Sequence, residues 1–206
     1  MKYTHLPHIN IDGYYQFITF RTFDSVDEYV KKISSTNQPN QTKQQQIDDY
    51  LDNSANGAYL NGEVLEFLYE FLKSKDGVLC ELVAFAIMNN HVHLLIKPLE
   101  SLSKIVQSIK GGSAKIINEM IGRSGKFWAD DYYDKAVRDE KHFVVVYEYI
   151  KNNPLKIGEA KVSLPKAKAE TDTLVSANNL KSLPKVKIGT DTLVSVTSKR
   201  FYGKYE

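Results

Sequence analysis

The chain has 206 residues, enough for one ordinary domain and too few for two large ones. Hydrophobic residues at 42% and charged residues at 25% exclude wholesale disorder and fibrous repeats; the one cysteine, Cys80, excludes an internal disulfide framework and a multi-cysteine zinc site. Net charge is only +2, yet residues 1–96 carry 7 Lys/Arg against 12 Asp/Glu, 97–126 carry 6 against 2, 127–150 carry 3 against 6, and 151–206 carry 11 against 5.

Tyr14–Phe23 is aromatic and β-branched with partial alternation, which predicts a strand. Asp24 or Ser25 then offers an N-cap for a short helix over Val26–Ile33. From Ser34 to Asn56 the composition turns to Ser, Thr, Asn, Gln and Asp, so a loop is expected, with a helical stretch around Gln45–Leu51. Val64, Leu65, Phe67, Leu68, Phe71 and Leu72 recur at helical spacing and predict a helix after Asn61 to about Lys75, which Gly77 ends. Leu79–Met88 and His91–Lys97 read as strands joined by the tight turn Asn89-Asn90. Leu102, Ile105, Val106, Ile109, Ile116, Ile117 and Met120 predict a long helix over Ser101–Met120, despite Gly111-Gly112. Phe127–Arg138 is irregular with one short strand, and Phe143–Ile150 is a helix stopped by Pro154 and Gly158. Residues 163–176 return at 182–195 with eleven of fourteen positions identical, too few copies for a solenoid. The expected division is a domain over 1–162 and a duplicated, basic, low-complexity tail over 163–206. Apolar runs such as Val83–Met88 fall far short of a bilayer span, and Met1–His5 lacks the apolar stretch of a signal peptide. A soluble cytoplasmic protein is the expectation.

His91-Val92-His93 opens a strand, so both imidazoles point to one face and can reach one ion. Half-exposed strand histidines without a metal give the same pattern. Tyr149 and Asn153 stand one helical turn apart and share a face. A phenol there could attack a phosphodiester beside a metal, or simply pack its ring in the core. Basic segments flanking an acidic one fit a polyanion partner, as does a solvated surface with chance unevenness. The positive balance of 97–126 makes Lys110 and Lys115 the first DNA-binding candidates, with Arg21 and Arg138 next.

Met88-Asn-Asn-His-Val-His-Leu-Leu-Ile-Lys-Pro98 resembles the His-hydrophobic-His signature of the single-tyrosine transposases, particularly the REP-associated ones. Leu6-Pro7-His8 with Gly13–Arg21, Lys110–Ala114 with Ile117-Asn118, Phe127-Trp128, Tyr132–Glu140 and Tyr149–Pro154 follow in family order, over about residues 5–158. The resemblance implies an α+β fold, a ferredoxin-like antiparallel sheet with packed helices (the HUH endonuclease fold). It implies His91 and His93 as metal ligands, Asn153 completing the metal site, and Tyr149 as the nucleophile. It further implies recognition of single-stranded or hairpin DNA and cleavage through a 5′-phosphotyrosine. Mg²⁺ or Mn²⁺ is the expected ion, with histidine ligation favouring Mn²⁺ in affinity and cellular abundance favouring Mg²⁺. A monomer is the preferred state, with a homodimer open. Two other readings are a non-catalytic hairpin-DNA-binding protein and a replication or conjugation nickase. Thr36–Asp52 looks like an insertion, and the tail has no counterpart in the family.

Overall fold

In the computed structural model, described residues are 13–153 and the backbone of 161–163. The Leu6-Pro7-His8 motif, Pro154, Gly158 and the repeated tail lie outside them. In chain order the elements are β1 (Tyr15–Arg21), α1 (Glu28–Ser34), α2 (Asn40–Leu51), α3 (Gly62–Lys73), β2 (Cys80–Ile87), β3 (His91–Pro98), α4 (Leu102–Met120), β4 (Tyr133–Val137), α5 (Glu140–Asn152) and β5 (Lys161–Ser163). The strands form one sheet in the order β4-β1-β3-β2-β5, each pair antiparallel. The first four strands interleave two split β-α-β units, the ferredoxin-like arrangement that the resemblance implies.

Period-two alternation decides which helix covers which face. Ile18 and Phe20 of β1, Phe85 and Ile87 of β2, and Val92, Leu94 and Ile96 of β3 pack with α3 and α4. Their neighbours Phe17, Ala84, Ala86 and Leu95 turn the other way and meet Phe143, Val146, Tyr147 and Ile150 of α5. The helices α1 and α2 join through a smaller cluster of Val30, Ile47 and Leu51. Gly112 lets α4 approach α3 at Phe71: a Cβ there would stand 2.9 Å from Cζ of that ring.

Three expectations are corrected. The loop expected over Ser34–Asn56 holds a full 12-residue helix, α2, and not only the stretch Gln45–Leu51. The helix α1 is capped by Asp27, whose carboxylate accepts from the Tyr29 and Val30 amides, and not by Asp24 or Ser25. Helix α5 begins at Glu140, three residues before Phe143, because Asp139 accepts from the His142 amide and caps it.

Candidate active site

The antiparallel register sets Thr19 opposite His93 and Arg21 opposite His91. All four side chains turn to the α5 face of the sheet. Ala86 pairs with His93 on the other side. Its small side chain and that of Ala84 leave room for α5, which carries Tyr149 over the histidines. The Tyr149 ring lies 5.2 Å from the His93 ring and meets Phe17 edge-on at 5.9 Å.

Both histidines are fully buried, and each has its Nδ1 held by a neighbour. His91 Nδ1 lies 2.8 Å from Asn90 Oδ1, and His93 Nδ1 lies 2.8 Å from Thr19 Oγ1. Asn90 donates its amide N–H groups to the carbonyls of Leu51, Ser54 and Asn56. Its Oδ1 must therefore accept, so His91 donates from Nδ1 and Nε2 keeps the lone pair. Holding the distal nitrogen this way is how metal-ligating imidazoles are oriented.

Helix α2 supplies the third side. The ligand atoms of Asp48, His91 and His93 lie within 4.8 Å of one another. Asp48 Oδ2 accepts from the Tyr149 hydroxyl at 3.0 Å, and Oδ1 accepts from Gln44 Nε2 at 2.5 Å. Gln44 Oε1 in turn accepts from Arg21 at 2.9 Å, and Asp52 Oδ1 stands 3.7 Å from His91 Nε2. Burial pushes the Asp48 carboxyl up to about 7, against the opposing pull of the Arg21 charge and the Tyr149 hydrogen bond. Burial, then the negative charge of Asp48, holds the Tyr149 phenol well above its ordinary range. The phenol is thus protonated at neutral pH, and nearby positive charge would help it become a nucleophile. Two imidazoles and a buried carboxylate suit a divalent ion, because that charge offsets the cost of desolvating Asp48.

Of the residues marked out in the sequence, His91, His93 and Tyr149 come together. Asn153 follows α5 and is buried, with neither side-chain amide atom hydrogen-bonded among the described residues. The four basic candidates are dispersed. Arg21 is buried behind Gln44, while Lys110 on α4 donates to the carbonyls of Ala129 and Asp130. Lys115 is exposed on the same helix, across the sheet from Tyr149, and Arg138 is exposed between β4 and α5. Sequence reasoning missed Thr19, Gln44, Asp48 and Asn90. A signal for two of them is present: Gln44, Asp48 and Asp52 recur every four residues, a polar stripe beside Ile47 and Leu51.

The family model described as “Transposase IS200 like” matches residues 55–153. Over that segment the chain is similar to the IS200-like transposases. The match includes His91, His93, Tyr149 and Asn153, and leaves out β1, α1 and α2. An uncharacterised protein of Haemophilus influenzae is 30% identical over 34% of this chain and 52% of its own, so the chain spans about half the length of that relative. Among solved structures, a REP-associated tyrosine transposase bound to a REP hairpin is 17% identical, covering 76% of this chain and 75% of that one, with TM-score 0.44. A candidate transposase of Deinococcus radiodurans is 20% identical over 74% of this chain and 98% of its own, with TM-score 0.40. Among the described residues no helix is long and apolar enough to cross a membrane.

Proposed function

We propose that the protein is a metal-dependent single-stranded DNA endonuclease and strand-transferase, in which Tyr149 is the nucleophile. The observation that carries this reading is the seating of the Tyr149 phenol beside His91 and His93, all three within the family-matched segment. Tyr149 Oη attacks a phosphodiester phosphorus; the bond to the 3′-oxygen breaks as the bond to tyrosine forms. The phenol proton balances the 3′-hydroxyl released, and the 5′ side stays on Tyr149. The phosphodiester energy is thereby retained, so an incoming 3′-hydroxyl can reverse the step and join strands. His91, His93 and Asn153 would hold a Mg²⁺ or Mn²⁺ ion, which supplies charge to polarise a phosphoryl oxygen. Thr19 and Asn90 keep the imidazoles aimed, and Phe17 supports the tyrosine ring. The substrate is single-stranded or hairpin DNA, contacted by exposed cations such as Lys115 and Arg138, with Lys110 and Arg21 as further candidates. A monomer suffices for cleavage, since one chain carries the whole residue set.

Labelled single-stranded and hairpin oligonucleotides incubated with Mn²⁺ test this directly. The native chain should give an adduct that survives denaturing electrophoresis, and Tyr149→Phe should give none while binding persists. Its ring contacts remain, so its stability should stay within about 1 kcal/mol of the native chain, the worth of one hydrogen bond. A normal adduct yield from Tyr149→Phe would move the nucleophile elsewhere, with Tyr147 or Tyr133 next. The second reading, a hairpin-binding protein without cleavage, draws on the burial of both histidines. Tight binding with no adduct from the native chain would favour it.

A further inference from the structure

The reading above takes its residues from the segment that matches the family. One buried carboxylate of the site lies outside it. Asp48 belongs to α2, in a stretch the family match leaves out, and it is only 3% exposed. We infer that Asp48 is both a ligand of the divalent ion and the positioning residue for the Tyr149 hydroxyl, so that one carboxylate seats metal and nucleophile together. The inference rests on the proposed metal-dependent reading.

Three observations carry it. The ligand atoms of Asp48, His91 and His93 are clustered within 4.8 Å. Ligands about 2.1 Å from one ion lie roughly 3–4 Å apart, so closing around it requires only a small movement. Second, the two carboxylate oxygens divide their duties: Oδ1 takes the Gln44 amide, and Oδ2 takes the Tyr149 hydroxyl. Each oxygen has two lone pairs, so Oδ2 can accept from Tyr149 and still face an ion. Third, the relay Arg21–Gln44–Asp48 holds the carboxylate from behind without spending a cation directly on it. A buried carboxylate without a contacting cation is costly, and an ion between it and the two imidazoles would remove that cost. Helix α2 is then a working part of the site. Compared with the amide of Asn153, a carboxylate is also the stronger ligand for Mg²⁺ or Mn²⁺.

The test is titration of the full chain with Mn²⁺ by calorimetry, paired with melting curves in Mn²⁺ and in chelator. Asp48→Asn should weaken Mn²⁺ binding at least tenfold and abolish the Mn²⁺-dependent rise in melting temperature. In chelator it should melt no lower than the native chain, which separates a ligand from a merely structural residue. Unchanged Mn²⁺ affinity in Asp48→Asn, alongside weakened binding in His93→Ala, would overturn the inference and leave the histidine site standing. Unchanged affinity in both would remove the metal reading itself, and the inference with it. Should Asp48→Asn fail to fold, Asp48→Ser carries the same comparison.

Discussion

Asn90 does more for His91 than its place in a turn implies. Its amide ties together Leu51, Ser54 and Asn56, and its oxygen fixes which nitrogen of His91 carries the proton. Asn90→Ala should therefore weaken Mn²⁺ binding about 10–100-fold, the usual effect of losing such a supporting bond. Calorimetry on the folded variant would show it; native affinity would mean that the tautomer is set elsewhere. Several buried groups, Cys80 and Tyr133 among them, give the molecule a pH limit at the alkaline end. Burial pushes the Cys80 thiol and the Tyr133 phenol up to about 12, above ordinary values of 9.0 and 10.0. Both pKa values are raised by folding, so the stability they contribute is intact below about pH 9 and is lost as pH rises toward 12. Melting temperature should decline across that interval and be insensitive to these groups between pH 7 and 8. A flat melting profile up to pH 11.5 would contradict this.

The helices differ in how plainly their sequences announce them, and the difference has a physical source. The apolar stripes of α3 and α4 face a dry core, so their helical period is plain in the chain. In α2 only Ile47 and Leu51 follow that rule, because Gln44 and Asp48 also turn inward, to the site. A pattern that equates polar with outward-facing fails where the inside is chemical. The strands and the His-x-His pair were legible for the opposite reason: alternation alone sets their faces. Thr19 was not, since only the pairing of β1 with β3 brings it to His93. The glycine pair in α4 gives an element-level prediction. A Cβ at Gly111 meets nothing within 4 Å, so Gly111→Ala should stabilise the protein by up to about 1 kcal/mol. At Gly112 the Phe71 ring must swing aside, so Gly112→Ala should gain less or lose. Denaturant midpoints of the two variants would rank them; equal gains would mean that the ring moves freely.

For the molecule as a whole, the distribution of charge bears on where the proposed DNA substrate would lie. Lys115 is 84% exposed and sits on α4, across the sheet from Tyr149, whereas Arg138 adjoins α5 on the nucleophile's side. If the strand also wraps the α4 face, Lys115→Ala should reduce the salt slope of oligonucleotide affinity by roughly one unit. Stability should be unchanged, because the Lys115–Glu119 pair is an exposed one at 3.9 Å. An unaltered slope would confine the DNA to the α5 side and make Arg138 the position to substitute.

The pairing of β4 with β1 joins Tyr15 to Val137, so the sheet is closed by a strand made long after its neighbour. Such non-local pairing belongs to topologies that fold on the order of milliseconds to seconds. During synthesis, Asp48, His91 and His93 leave the ribosome before β4, and Tyr149 follows it. On the proposed reading, a nascent chain would carry its candidate metal ligands well before the candidate nucleophile. Cleavage would then wait for α5, the last helix among the described residues, and a chain terminated before residue 149 would lack the nucleophile.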